Sequence, residues 1–299
     1  MDIENITDDY KVILNDPEIN GVLICSSAPT HVDYITQAAN AKKNIFCEKP
    51  IDLDPVKIKS ALDIVEKNGI VFQVDFMKRF DRTFLTMKNM VEEGKIGKQY
   101  IIKITSRDPY LPPLDYIKTS GGIFLDMTCH DFDLLRFLTG SEIEEVFAVG
   151  EVMIDPAIKE SDDFDTAIIN LKLKNGSLGL IENSEKTNFG YDQRVEMFGS
   201  GGCLSAGNPL MTRINLKSGN DICIDNQHYW FMERYKDAYI EEFRSFFKSI
   251  QENKESIVGG IDGLKAIQIG LAAKQSAKEG KFVKVEEILK IKGKFYILN

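Results

Sequence analysis

Asp126, His130 and Asp133 follow the Gly121-Gly122 pair at intervals of four and three residues. That spacing makes side chains neighbours on one helix face. A carboxylate beside an imidazole forms a proton-transfer pair: the ring titrates near neutrality, and the acid fixes its tautomer and stabilises its protonated form. Such a pair suits acid/base work on a small molecule. A second constellation stands upstream, where Asn44-Ile-Phe-Cys47 reads as a short buried strand that runs out into Glu48, Lys49 and Pro50. A strand ending in charge delivers it to the carboxyl edge of a sheet, where open α/β sheets bind ligands. Pro50 confines Lys49 to extended backbone and so aims its side chain. Each constellation has a plainer reading too: a histidine packed among Leu125, Phe132, Leu134 and Leu135, and a solvated strand end.

The elements that must position these groups alternate at first. A strand over 21–26 leads to a helix after Thr30, the strand into Glu48, a helix capped by Asp54 with Pro55 in its first turn, and a strand over 70–74. This is half of a parallel doubly wound sheet. After a helix over 84–93 the rhythm changes to long alternating strands over 98–106, 145–152, 166–173 and 177–183, which predict a mostly antiparallel sheet. Asn175-Gly176 predicts a hairpin turn in which both residues tolerate positive φ. Gly199-Ser-Gly-Gly202 follows a strand with no helix behind it, so it reads as a turn and not as a phosphate loop. Late helices over 235–251 and 262–279 carry Phe243, Phe246 and Phe247, then Leu264, Ile267 and Leu271, at core-facing spacing. Trp230, Phe231, Tyr235 and Tyr239 are expected to pack between the sheet and these helices. The expected class is α/β plus α+β: an incomplete Rossmann-type parallel sheet over 1–78, then over 79–299 a mostly antiparallel sheet domain flanked by helices, with the late helices free to pack back on the first domain.

Together these segments resemble the Gfo/Idh/MocA family of nicotinamide-dependent sugar and polyol dehydrogenases. Glu48-Lys49-Pro50 combined with the Asp126/His130 segment carries the likeness to the family. The stretches 105–109, 116–133, 190–196 and 233–239 are similar to its inositol dehydrogenase branch. The resemblance implies NAD as cofactor and a polyol, inositol, as substrate, with myo-inositol oxidised at C2 or another polyol such as scyllo-inositol in its place. It implies a catalytic trio of Lys49, Asp126 and His130. His130 would take the hydroxyl proton as the hydride leaves, Asp126 would orient it, and Lys49 would hydrogen-bond the reacting oxygen. It places Lys78, Arg79, Thr128, Asp133 and Tyr191 at or beside polyol contacts, and Ser26, Ser27, Pro29, His31, Glu48 and Lys49 at the cofactor. It further implies a homodimer or homotetramer.

The family's G-x-G-x-x-G fingerprint is absent from these 299 residues, in which the first glycine is Gly21. That motif lets backbone amides and a helix N-terminus cradle a pyrophosphate. The expectation is therefore a truncated chain that lacks the N-terminal strand-turn-helix unit and keeps the nicotinamide half of the cofactor site. Such a chain is either an inositol dehydrogenase or an inactive remnant acting as a binding subunit.

Composition is ordinary for a soluble globular chain. Hydrophobic residues make up 43% and charged residues 28%, and the net charge of -9 disfavours nucleic acid and anionic membranes as partners. Five cysteines form no C-x-x-C pair, which suits a reducing cytoplasm, and His31, His130 and His228 are too dispersed to suggest a metal site. No apolar run approaches the roughly 20 residues that cross a bilayer, and the N-terminus has no secretory pattern.

Overall fold

Short apolar strands alternating with capped helices build the first part of the chain. The computed structural model describes residues 5–212, 215–218, 221–224 and 227–288. These divide into two compact units, one of residues up to 75 with 242–264, the other of residues 76–241 with those from 265 onward. In the first unit α1 (Tyr10–Asn15) leads to β1 (Gly21–Ile24), α2 (His31–Asn40), β2 (Asn44–Cys47), α3 (Pro55–Asn68) and β3 (Phe72–Val74). The three strands pair in parallel in the order β1-β2-β3, with Ile24 opposite Cys47 and Cys47 opposite Val74. The boundaries of α3 are dictated locally. The Asp54 side chain accepts from the Val56 N–H, Pro55 occupies the first turn, and Gly69 closes the helix at φ 63°.

The second unit begins with α4 (Arg82–Glu92), β4 (Gln99–Arg107), α5 (Leu114–Ser120) and α6 (Cys129–Thr139). It continues with β5 (Ile143–Glu151), β6 (Thr166–Leu173), β7 (Leu178–Ser184), β8 (Asp192–Gly199) and β9 (Gly202–Ala206). A separate antiparallel pair, β10 (Asn215–Ser218) and β11 (Asp221–Ile224), precedes α7 (Phe231–Arg234), α8 (Lys236–Glu252), α9 (Gly260–Glu279) and β12 (Val283–Lys284). The large sheet has the order β12-β5-β6-β7-β4-β8-β9, and all its pairs are antiparallel except β4 with β7. Its strands alternate as a half-buried sheet must: Ala167, Ile169, Leu171 and Leu173 of β6 are buried while the residues between them face outward. Phe132, Leu134, Leu135 and Leu138 of α6 share that core, which is one continuous cluster.

The division between the units falls within α8 and α9. Phe246 of α8 is fully buried on Phe46 of β2, and Phe243 packs on the same ring with centroids 4.7 Å apart. Phe247 departs from the sequence expectation: it is 52% exposed, because the stripe that faces Phe46 runs through positions 243, 246 and 250 and leaves 247 on its shoulder. Tyr235 is fully buried in the second unit, whereas Trp230 stacks on Tyr110 at 4.4 Å.

The two glycine turns behave differently. Ser200 and Gly201 join β8 to β9 as a hairpin, with Gly199 opposite Gly202, so this stretch is a turn as expected. At the β6–β7 hairpin Gly176 has φ 86°, but Asn175 is not in the left-handed region. Its side-chain oxygen instead accepts from the Ser177 N–H at 3.0 Å, a local bond that supplies the turn without a second positive φ. Among the described residues no helix is long and apolar enough to cross a membrane.

Candidate functional site

In the first unit the polar groups collect where the parallel strands end. Beyond β1 a single 3-10 turn, Ala28–Thr30, carries Pro29, and Ser26, Ser27 and Pro29 lie on the surface. The Ser26 and Thr30 hydroxyls are 2.7 Å apart. His31 is buried beneath them, with Nδ1 2.8 Å from the Pro50 carbonyl oxygen and Nε2 2.9 Å from that of Ser26. It thus ties the loop after β1 to the loop after β2. Glu48 and Lys49 emerge from β2 as expected. Burial, then the charge and hydrogen bond of Asp75, push the Glu48 carboxyl up to about 8 against the pull of Lys49. Burial, followed by Glu48 and Asp75, also raises the Cys25 thiol, which keeps it protonated.

In the second unit the structure corrects the helix expected to carry all three of Asp126, His130 and Asp133. The helix α6 starts at Cys129, and Asp126 stands before it. The reason is a wide turn: the Gly122 carbonyl takes the N–H groups of both Leu125 and Asp126, and the Ile123 carbonyl takes that of Thr128. Gly122 has φ 81°, and a Cβ there would collide with the Asp163 carboxylate, so only glycine fits. Asp163 in turn accepts from the Ile123 N–H at 3.1 Å and fixes the turn.

Asp126 and His130 are both half-buried and adjacent to the start of α6. The Tyr116 hydroxyl donates to Asp126 Oδ1 at 3.1 Å, a partner that sequence reasoning missed although Tyr116 lies only ten residues upstream. The His130 ring meets Phe76 edge-on, with centroids 5.7 Å apart.

Asp133, Lys78, Arg79 and Thr128 lie deeper. Arg79 grips Asp133 through two hydrogen bonds, Nε to Oδ2 at 2.8 Å and Nη2 to Oδ1 at 2.6 Å, and its guanidinium sits 5.4 Å from the centre of the Phe137 ring. Lys78, 1% exposed, donates to Asp131 Oδ1 and Gln193 Oε1, each at 2.7 Å. Asp131 Oδ2 accepts from Asn183 Nδ2 at 2.8 Å. Asn183 Oδ1 lies 2.7 Å from the Thr128 hydroxyl, and Gln193 also donates to Ser106. Asp131, Asn183 and Gln193 were not singled out from the sequence. Their only signal was polarity at inward-facing positions, three residues that a core of this kind rarely holds unless they bond to one another. Tyr191 is buried edge-on against Tyr235, and burial raises its hydroxyl pKa well above the ordinary value.

Behind the Gly122 turn a second acidic group is held neutral. Glu185 follows β7, is 5% exposed, and its Oε2 has no hydrogen-bond partner. Burial, followed by the charges of Asp163, Asp108, Asp126 and Asp165, pushes it up to about 9 from 4.5. A raised carboxyl means that the folded chain binds a proton the unfolded chain releases. Its contribution to stability is therefore complete below about 4.5 and lost as pH rises through about 9. Glu185→Gln removes that dependence. Between about pH 5 and about pH 8 wild-type stability should fall by roughly 2 to 4 kcal/mol relative to the variant. Urea unfolding at the two pH values measures this, and parallel losses in both proteins would contradict it.

Among the described residues no cluster of three or more His, Cys, Asp and Glu side chains is arranged to hold a metal ion, and Cys25, Cys47, Cys129 and Cys203 are free thiols. At the ends of β1 and β2 the exposed hydroxyls of Ser26 and Ser27 beside Pro29, with Lys49 beyond the next strand, are groups that could hold a cofactor.

A three-stranded parallel sheet is followed by a helix-backed, mostly antiparallel sheet, an architecture whose function is decided by its family. The oxidoreductase family with an NAD-binding Rossmann fold matches residues 1–76, and the GFO/IDH/MocA C-terminal domain matches residues 84–205. The chain belongs to the Gfo/Idh/MocA family of oxidoreductases. It is 43% identical to the myo-inositol 2-dehydrogenase of Thermotoga maritima over 97% of this chain and 86% of that protein. It is 33% identical to the scyllo-inositol 2-dehydrogenase (NAD(+)) of Bacillus subtilis over 96% of this chain and 83% of that protein. A crystal structure of a probable dehydrogenase from Thermotoga maritima superposes with a TM-score of 0.92 at 44% identity, covering 94% of this chain and 84% of that one.

Proposed function

We propose that this protein oxidises myo-inositol at C2 to the keto-inositol with NAD as hydride acceptor. The observation that carries the reading is that Asp126, bonded by the Tyr116 hydroxyl, and His130 both stand at the head of α6, in a chain so similar over its length to a myo-inositol 2-dehydrogenase. His130 accepts the hydroxyl proton at its ring, and Asp126 orients the ring and supports its positive charge. Lys49 hydrogen-bonds the reacting oxygen and offsets the charge that develops there. NAD, when bound, would supply the hydride-accepting ring, and Ser26, Ser27, Pro29, Glu48 and Lys49 would hold its nicotinamide end, with His31 tying their two loops together. Among the residues assigned to the polyol, Lys78, Arg79, Thr128 and Asp133 act mainly by fixing α6, since their hydrogen bonds already lie within the protein, and Tyr191 closes the same wall.

Free thiols suit a reducing cytoplasm. Tyr100, Ile101, Val149, Ile168, Leu178 and Phe198, left exposed on the outward face of the large sheet, support a homodimer or homotetramer. The relative named as a scyllo-inositol dehydrogenase favours a second reading, with that isomer as substrate. Initial rates with myo-inositol, scyllo-inositol and unrelated sugars, each with NAD and with NADP, separate the two. The proposal expects the highest kcat/KM for myo-inositol with NAD, and equal rates on unrelated sugars would overturn it.

A further inference from the structure

Parallel pairing of Cys47 with Val74 carries the next residue of each strand, Glu48 and Asp75, off the same edge of the sheet side by side. The Asp75 N–H donates to the Cys47 carbonyl at 2.9 Å and fixes where both side chains begin. Asp75 acts on the Glu48 carboxyl through its charge and a side-chain hydrogen bond, both of which favour the protonated form of Glu48. A carboxylate has acceptors only, so a hydrogen bond between two carboxyl groups requires a proton between them. Asp75 is 2% exposed, which leaves little water to screen a second negative charge. Among the described residues, the titratable groups in electrostatic contact with the pair include Lys49, which follows Glu48 directly, and the thiols of Cys25 and Cys47, both raised by burial and by the pair's charge and therefore neutral. The His31 ring, on α2, is engaged with the Pro50 and Ser26 carbonyls.

We propose that Glu48 and Asp75 form a positioning pair that shares one proton and thereby sets the charge beside Lys49. The inference rests on the reading that Lys49 serves the reacting oxygen. With the proton in place the pair carries one negative charge, which the Lys49 ammonium balances while it keeps donors for another partner. When the proton leaves, a second negative charge appears on the residue adjoining Lys49, and the ammonium is drawn toward the pair and away from substrate. A carboxyl shifted upward holds its proton below its pKa and releases it above. The release centres near 8, the value to which burial and Asp75 push Glu48. Turnover therefore gains a falling alkaline limb at that pH.

Two readouts test this on the full chain. One is an NMR titration of carbon-13-labelled glutamate carboxyls, with Glu48 identified by the resonance that Glu48→Gln removes. The other is kcat/KM for inositol oxidation against pH. Wild-type Glu48 is expected to titrate near 8. In Asp75→Asn, which keeps shape and a hydrogen bond but holds no charge, its midpoint should fall toward the ordinary carboxylate range, with burial holding it above that range, and the alkaline limb should move away with it. A purely structural role for Asp75 would change thermal stability and leave the limb in place. Wild-type titration of Glu48 in the ordinary carboxylate range overturns the proposal, as does a limb that stays put in Asp75→Asn. Absence of inositol turnover in the wild type would defeat the functional reading, while the titration would still decide whether the pair shares a proton.

Discussion

Replacing His130 with alanine is expected to lower kcat for inositol oxidation by about 100-fold or more, the usual scale for a positioned acid/base group. The structure makes this substitution a clean probe. His130 is half-buried in the first turn of α6, and the helix is anchored elsewhere, by Phe132, Leu134, Leu135 and Leu138 in the core and by the Arg79 grip on Asp133. Deleting the imidazole should leave the melting temperature close to that of the wild type while turnover collapses. Lys49→Ala should fall on a similar scale, and because Lys49 is half-buried beyond the buried end of β2, its melting temperature must be measured beside its turnover. The two losses should not simply multiply, since both groups serve one proton transfer. Steady-state kinetics beside thermal unfolding separates the outcomes, and near-wild-type turnover in folded His130→Ala would refute the assigned role.

Asp131→Ala should instead act on the fold, costing about 3–5 kcal/mol of stability. The cause is the partner left behind. Lys78 would keep a buried ammonium with Gln193 to accept from it, and the Asn183 amide would lose its shortest acceptor and keep only the longer contacts to the Ser106 and Glu182 carbonyls. The contrast is Lys103 with Glu196 on the outward face of the sheet, a 2.8 Å ion pair in which both side chains are about half exposed; removing Glu196 should change stability little. A double variant, Lys78→Met with Asp131→Leu, should recover much of the loss, since an apolar pair needs no counter-charge. Urea unfolding of the set measures this. Equal small losses at Asp131 and Glu196 would show that the buried network carries no special weight.

Much of the first unit was legible because its signals are local. Asp54 and Pro55 before an apolar periodic run announce the start of α3, and Asn44 to Cys47 is long enough for one buried strand and too short for a helix. Four strands of the second unit, β4 to β7, were equally plain from their alternation, to within one or two residues at each end, whereas β8, β9 and β12 were given no range. The head of α6 was not. Spacings of four and three are shared by a helix begun at Gly122 and by a wide turn followed by a helix begun at Cys129, and only the contact of Asp163 with Gly122 decides between them. That contact joins residues some forty positions apart.

The same limit governs the polar network. Asp131 and Asp133 stand two apart, and the sequence offers no reason why the first should meet Lys78 and the second Arg79. Their pairing depends on where the 3-10 turn Met77–Phe80 lies against α6. Asp75 is a further case. As a strand-terminal aspartate it is unremarkable, and it gains meaning only through the β2–β3 register that sets it beside Glu48. Phe247 shows the converse error, an apolar residue at plausible helical spacing that falls outside the stripe facing Phe46.

The most direct test of hydride transfer from the inositol ring is to supply myo-inositol deuterated at C2 with NAD and follow the label. Recovery of the deuterium in the reduced cofactor, with kcat slowed relative to unlabelled substrate, is what the account predicts. No reduced cofactor, or deuterium released into water, would contradict it.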